Sequence, residues 1–115
     1  VAHIGDSRAY MIHGSSIIKL TEDHVAESGS HMLTKSLGEN VFVNPDIYRY
    51  SIMYGDLVLV CTDGIHSVLS NDEILVCLKK HKDLKGCLNN LIDAVNIKGA
   101  PDNFTAVLAH NKLVR

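Results

Sequence analysis

The sequence lacks the features that assign many proteins to a class at first reading. No apolar run exceeds five residues, whereas a membrane-spanning helix needs about 20. The formal net charge is only -2, so no excess of positive charge favours nucleic acid or an anionic membrane surface. Internal repeats and low-complexity stretches are also absent. We therefore predict a partner that is neither a nucleic acid nor a membrane.

Cysteine and histidine are not arranged as metal ligands. The three cysteines make an odd count without a C-x-x-C pair, and each lies in an apolar run or on an apolar helix face: Cys61, Cys77 and Cys87. This pattern predicts buried, reduced thiols in a cytoplasmic protein. None of the seven histidines has a histidine four residues away or an H-E-x-x-H context, so we predict no zinc site and mostly surface or structural histidines.

The most informative stretch is Gly55 to Gly64, GDLVLVCTDG. The five apolar residues 57–61 predict a short strand with both faces buried. The strand ends at Asp63, and a carboxylate there requires a cation or a polar partner, because burying an uncompensated charge is costly. Gly64 lets the backbone bend away at this point. Asp63 also suits an ordinary turn or cap, and the local pattern leaves both interpretations open.

The 115 residues have the size of one domain, and turn residues divide them into short strands. The strands that these runs predict are 1–4, 9–13, 17–20, 46–53, 57–61 and 104–110. The spacing of the turns predicts that the first three form an antiparallel meander, with Asp6 at the tip of the first hairpin. Residues 25–31 read as a loop, and 32–38 as a short element closed by a glycine. Residues 29–32, GSHM, match a common cloning scar, and the sequence leaves open whether they are natural.

Two helices are predicted late in the chain. Ser70 and Glu73 have capping-box spacing ahead of an apolar stripe, which predicts a helix over 71–81. Asp83 can cap a second helix, whose apolar residues recur at helical spacing until Gly99 ends it. Strands in one run followed by a helical hairpin indicate an α+β fold built on antiparallel sheet.

Two acids stand out by their position. Asp63 ends the central strand, and Asp102 precedes the last one. The helical hairpin between them can return the chain to the same sheet edge, where Asp6 could join them. Carboxylates brought together repel unless a cation compensates them, and oxygen ligands alone favour Mg²⁺ or Mn²⁺. Three unrelated turn aspartates are the alternative.

Five stretches resemble, in order, motifs of the metal-dependent serine/threonine protein phosphatases of type 2C, the PPM family. They cover nearly the whole chain: HIGDSRAYMI, LTEDH, HMLTKSLG, GDLVLVCTDGIHSVLSNDEI and PDNFTAVL. The resemblance implies an α-β-β-α sandwich with antiparallel sheets, of which this chain is the C-terminal part. It also implies a phosphoprotein substrate, whose phosphoserine or phosphothreonine is attacked by a water that Mg²⁺ or Mn²⁺ makes acidic.

By residue match, the resemblance implies that Asp63 and Asp102 are ligands of two metal ions. Asp6 matches an acid that helps to hold a weaker third ion in some members. Asn103 would orient Asp102, and Gly64 would allow close packing beside the metals. Arg8, Ser7 and the LTKSLG stretch match structural positions.

The sequence departs from the family pattern in two places. The family's N-terminal half has no counterpart here, although it carries further metal-binding acids and the arginine that grips phosphate. We expect that half to be a necessary partner. The segment at 25–31 is also short where many members carry a flap beside the catalytic cleft. Two alternatives to a phosphatase of ordinary signalling proteins remain: a non-catalytic interaction module that keeps the fold, or a switch phosphatase acting on anti-sigma-type proteins.

Overall fold

The computed structural model describes residues 1–25, 33–38, 44–79 and 83–112. Within these ranges the chain forms six strands and three helices. In order they are β1 (Ala2–His3), β2 (Arg8–His13), β3 (Ser16–Lys19), β4 (Asp46–Ile47), β5 (Leu57–Cys61), α1 (Asp63–His66), α2 (Asn71–Lys79), α3 (Leu84–Ile97) and β6 (Ala106–His110). None of the helices combines the length and apolar character that crossing a bilayer requires.

The main sheet has four antiparallel strands in the order β3-β2-β5-β6. One row of paired residues crosses its centre, from Tyr10 through Leu59 to Leu108. These side chains are buried, and they pack with apolar residues of α2 and α3 such as Ile74 and Leu91. The helices therefore cover one face of the sheet, which confirms the predicted α+β class.

The two long helices begin where the sequence predicts. The backbone N–H of Ser70 donates to Glu73 Oε1 (3.3 Å), and the N–H of Glu73 donates to Ser70 Oγ (3.2 Å), which is a reciprocal capping box. The Asp83 carboxylate accepts from the N–H of Gly86 (2.7 Å) and caps α3. Gly99, at φ +94°, follows the end of α3 in the left-handed conformation that favours glycine. The last two residues predicted for α2, 80 and 81, lie outside the described residues.

The opposite face of the main sheet is also apolar, and the described residues leave it exposed over β5 and β6, whereas Ala9 of β2 is only 3% exposed. Its central row runs from Ala9 through Val60 to Val107. Val60 is 46% exposed and Val107 is 62% exposed. The prediction that β5 is buried on both faces is therefore wrong for the described residues, because only Leu59 and Cys61, on the helix side, lose their contact with water.

The first strand does not belong to the predicted meander. The hairpin of β2 and β3 is present, but β1 pairs with β4 in a separate two-stranded sheet. The backbone of Val1 exchanges two hydrogen bonds of 2.8 Å with Tyr48 rather than pairing with β2. Asp6 consequently lies in a connection between two sheets and not at a hairpin tip.

Only two residues of the predicted strand 46–53 pair in a sheet. Beyond Ile47 the chain follows an irregular path, and its polar groups find other partners. The Tyr50 hydroxyl donates to the Leu20 carbonyl (2.6 Å), and the N–H of Met53 donates to Asp56 Oδ2 (2.9 Å). The alternation in this stretch was therefore not sufficient to specify a strand.

Two predictions fall partly or wholly outside the described residues: most of the 25–31 loop and the possible cloning scar at 29–32. Val25 is described, and it forms an isolated antiparallel bridge with Leu33. The last strand begins at Ala106, two residues later than predicted.

Candidate metal-binding edge

Three segments that carry an acid leave the main sheet at the same edge. The final row of its ladders joins Arg8 of β2, Cys61 of β5 and Ala106 of β6. Because neighbouring strands are antiparallel, the residues before Arg8, after Cys61 and before Ala106 emerge together. The acids on these three segments are Asp6, Asp63 and Asp102.

The segment after β5 and the segment before β6 remain joined by hydrogen bonds beyond the last paired residues of the sheet. The N–H of Thr62 donates to the Thr105 carbonyl (3.1 Å), and the N–H of Thr105 donates to Thr62 Oγ1 (3.0 Å). A side-chain hydroxyl thus replaces a backbone carbonyl, which ends the regular ladder. The chain turns into α1 directly afterwards, with Asp63 in its first turn.

Gly64 is pressed against the segment that carries the other acid. A Cβ at this position would overlap the Asn103 carbonyl oxygen and lie 2.9 Å from the Phe104 Cβ. Gly64 lies within α1, so lack of space, rather than the bend that the sequence predicts, accounts for glycine here. This contact fixes how near the two acid-bearing segments approach.

The third segment is tied to α1 through a histidine. His66 Nε2 lies 2.6 Å from the backbone carbonyl oxygen of Asp6, and the ring must donate because a carbonyl can only accept. Ile65, the neighbour of His66, is 1% exposed and anchors α1 in the core. Asp6 is thereby held beside the helix that begins at Asp63.

The acidic edge contains uncompensated charge. Within the described residues, the carboxylates of Asp6 and Asp63 accept no hydrogen bond and form no ion pair, although both residues are half-buried. Asp102 is exposed, and among the residues that the structure describes its Oδ1 accepts the N–H of Asn103 (2.7 Å) and no other donor. The contact between Asn103 and Asp102 therefore runs through the backbone and not the amide side chain. Oxygen ligands suit a hard divalent cation, but in this structure the three carboxylates are not among the described side chains whose ligand atoms lie within 4.8 Å of one another.

A charged pair supports β2 beside this edge. Arg8 donates two hydrogen bonds to the Asp23 carboxylate, from Nε to Oδ1 (3.0 Å) and from Nη2 to Oδ2 (2.7 Å). Its Nη1 donates to the Tyr10 hydroxyl (3.1 Å). Burial acts to raise the pKa of Asp23, but the hydrogen bonds and charge of Arg8 outweigh it and lower that pKa. The position is structural, as the resemblance implies for Arg8.

The buried thiol beneath the edge is unsuited to chemistry. Cys61 is 2% exposed, and burial raises the pKa of its thiol to about 11. A nucleophilic cysteine needs a lowered pKa and access to solvent. Cysteine catalysis at this edge is therefore not supported.

A second cluster of possible ligands, which the sequence did not reveal, lies behind the Asp6 connection. His3, His24 and Asp46 offer ligand atoms within 4.8 Å of one another. His24 Nδ1 accepts the N–H of Gly5 (3.0 Å), so its Nε2 carries the ring proton and donates it to Asp46 (2.6 Å). A metal at Nε2 would have to displace that proton and leave the ring without any. The hydrogen bond between His24 and Asp46 therefore accounts for two of the three side chains, whereas His3 Nδ1 is buried without a hydrogen-bond partner among the described residues.

No family model matches the chain. A protein phosphatase 2C-type protein of Streptococcus pyogenes is 33% identical over 128 aligned positions, which cover 96% of this chain and 52% of that protein. The serine/threonine phosphatase of S. agalactiae matches with a TM-score of 0.86 at 28% identity, over 95% of this chain and 52% of that structure. The catalytic domain of the phosphatase PstP, solved with two manganese ions, matches with a TM-score of 0.80 at 26% identity, over 93% of this chain and 50% of that one.

The sheet, its helical layer and its acidic edge thus have the architecture of one half of a metal-dependent phosphatase sandwich. The chain belongs to the type 2C, or PPM, family of protein phosphatases. It spans about half the length of the curated relatives that it matches and corresponds to their C-terminal half.

Proposed function

We propose that this chain forms the C-terminal half of a phosphatase that hydrolyses phosphoserine and phosphothreonine in proteins with the help of Mg²⁺ or Mn²⁺. The observation that carries the proposal is the meeting of three acid-bearing segments at one sheet edge, two of whose carboxylates have no partner among the described residues, in a chain of this family. We use the term complete phosphatase for this chain together with the N-terminal half that its relatives possess.

The residue types at this edge suit a pair of divalent cations, although their carboxylates are not gathered within 4.8 Å of one another in this structure. Half-buried carboxylates without a partner repel one another, and a cation removes that cost. Asp63 and Asp102 would be ligands of the two tightly bound ions. Asp6 would help to hold a third ion that binds more weakly. Gly64 allows the close approach of the segments bearing Asp63 and Asp102, and the Asn103 N–H orients the Asp102 carboxylate.

The cations and the chain would make different contributions to the reaction. What the ions supply when bound is a more acidic water and compensation of phosphate charge. The role of this chain is to fix the carboxylates before substrate arrives, through the paired ends of β5 and β6 and the packing of Gly64. Preorganised charge of this kind needs little rearrangement during the reaction.

The uncovered sheet face supports a missing N-terminal half as the second partner. The apolar row from Ala9 to Val107 lies opposite the helical layer, and sandwich folds cover such a face with a second sheet. The curated relatives are about twice as long as the matched region. The further acids and the phosphate-binding arginine of the family would come from that half.

A short flap remains part of the proposal. The alignment with the S. pyogenes relative has 128 positions, more than the 115 residues of the entire chain. The relative therefore carries extra residues within the matched region, as expected if the segment near 25–31 is shortened. Substrate choice that depends on a long flap would then be lost.

A cytoplasmic location and enzymatic activity are favoured over the alternatives. The buried thiols suit a reducing compartment. A non-catalytic module would have no reason to keep unpartnered acids at Asp63 and Asp6, and the named relatives are serine/threonine phosphatases rather than switch phosphatases for anti-sigma-type proteins.

The proposal is tested by the hydrolysis of phosphopeptides by the complete phosphatase. We expect release of phosphate from phosphoserine and phosphothreonine peptides with millimolar Mn²⁺, and none after chelation with EDTA. The same peptide carrying phosphotyrosine is the matched control. Turnover that survives EDTA, or that occurs only with phosphotyrosine, would overturn the proposed function.

A further inference from the structure

Three histidine rings hold the connection that carries Asp6. Each ring bonds to the backbone of one of the three consecutive residues Gly5, Asp6 and Ser7. His24 Nδ1 accepts the N–H of Gly5 (3.0 Å), His66 Nε2 donates to the carbonyl of Asp6 (2.6 Å), and His3 Nε2 donates to the carbonyl of Ser7 (2.8 Å). These bonds satisfy backbone groups that a strand pairing would otherwise satisfy.

The three rings come from different parts of the fold. His3 belongs to β1, and the His24 ring is held by a hydrogen bond to Asp46 of β4. Both rings are buried, at 7% and 8% exposure for the whole residues. They fix the flanking residues Gly5 and Ser7 against the small sheet.

His66 links this connection to the helix that carries a proposed ligand. It lies one turn after Asp63 on α1, and its bond reaches across to Asp6. Because the bond is made to the backbone of Asp6, the Asp6 carboxylate remains available while its position relative to Asp63 is set.

From this geometry we propose that His66 is a positioning residue, which holds the Asp6 carboxylate opposite Asp63 for the weakly bound cation. The inference rests on the proposed function. Groups that orient a metal ligand through a hydrogen bond commonly account for 10- to 100-fold in metal affinity. His66 is not a ligand itself, since its Nε2–H is engaged with a carbonyl.

The test measures Mn²⁺ binding directly, from the EPR signal of free Mn²⁺ during titration of the complete phosphatase. We expect His66→Ala to weaken the loosest of the bound ions by roughly 10-fold and to leave the tight ions unchanged. His66→Gln, which retains an N–H donor at similar reach, should restore most of the affinity. The matched control is His13→Ala, because His13 also makes a 2.6 Å bond, to Asp56, but at the opposite end of β2.

A double-mutant cycle separates positioning from a general effect on folding. In an Asp6→Ala background, His66→Ala should have no further effect on Mn²⁺ affinity, because His66 acts through Asp6. If His66→Ala does not fold, the comparison of His66→Gln with His66→Met decides, since the two differ chiefly in the donor.

Three results with the variants would overturn the inference. They are equal affinity in the donor and non-donor variants, an equal loss in His13→Ala, or a full effect of His66→Ala without the Asp6 carboxylate. A wild-type protein that is active with only two bound ions would also remove the role of His66 while leaving the proposed function intact. A wild-type protein that binds no Mn²⁺ would overturn both.

Discussion

Gly64 and Asn103 are in such close contact that no side chain fits between them. A Cβ on residue 64 would overlap the Asn103 carbonyl oxygen. Gly64 directly follows Asp63, and Asn103 directly follows Asp102, so this contact sets the separation of the two proposed ligands.

We expect Gly64→Ala to force the two segments apart and to reduce turnover by the complete phosphatase by at least about 10-fold, with a stability loss of about 1–3 kcal/mol. Phosphopeptide turnover and thermal melting measure the two effects. Ser70→Ala is the control, because it removes the cap of α2 and costs about 1 kcal/mol away from the edge. If Ser70→Ala lowers turnover as much as Gly64→Ala, the close contact has no particular role.

Asp63→Asn and Asp102→Asn should each abolish turnover while the fold survives. A carboxamide has nearly the same shape as a carboxylate but cannot supply the negative charge that a hard cation requires. Loss of a ligand should cost more than roughly 100-fold. Asp93→Asn, an exposed position on α3, should change nothing. Near-normal turnover at millimolar Mn²⁺ in either edge variant would remove that residue from the metal site.

Asp6→Ala should lower turnover but leave two tightly bound ions in place. If Asp6 is instead the turn residue that the sequence allowed, with a side chain that only caps its own turn, the substitution should cost about 1 kcal/mol of stability and leave turnover unchanged. The structure favours the first outcome, because the Asp6 carboxylate accepts no hydrogen bond within the described residues. Metal titration beside thermal melting distinguishes the two, and a lower melting temperature with unchanged turnover would restore the capping role.

Acid should weaken the fold partly through Asp23. Arg8 overcomes the effect of burial and keeps the pKa of Asp23 below its ordinary value of 3.8 when the protein is folded. Its contribution to stability is therefore complete above that value and is lost as the pH falls through 3.8 and below. At neutral pH, Asp23→Asn should cost about 2 kcal/mol by weakening a charged hydrogen-bonded pair.

The same variant shows whether the pH effect belongs to Asp23. Urea unfolding of the metal-free complete phosphatase should give curves for wild type and Asp23→Asn that converge as the pH falls from 5 to 3. Asp93→Asn should run parallel to wild type throughout. A gap between wild type and Asp23→Asn that stays constant or widens toward acid would contradict the assigned pKa direction.

Local sequence signals predicted the elements that depend on neighbouring residues. The Ser70–Glu73 capping box and the Asp83 cap are confirmed because each involves atoms only three residues apart. The pairing of Ala2 with Ile47 joins residues 45 positions apart, and no local pattern reports it. The alternation after Ile47 shows polarity but cannot show that no neighbouring strand is available.

Some features of the candidate site could likewise be predicted from the sequence, and others could not. Spacing alone left Asp63 and Asp102 open between turn residues and ligands, and the family resemblance favoured ligands. The sheet register then explains how the two acids reach one edge. The bond from His66 to Asp6 could not be predicted, because it joins a side chain to a backbone carbonyl 60 residues away and has no sequence period.

The most direct test of the account is phosphopeptide turnover at millimolar Mn²⁺ by three samples: the 115-residue chain, a separately produced N-terminal half, and their mixture. The chain supplies only part of a ligand set and leaves an apolar sheet face uncovered, so alone it should be inactive and prone to self-association. We expect the mixture to be active and the associated species to disappear. Turnover by the chain alone at the rate of the mixture would contradict the account, because the site would then be complete without a second half.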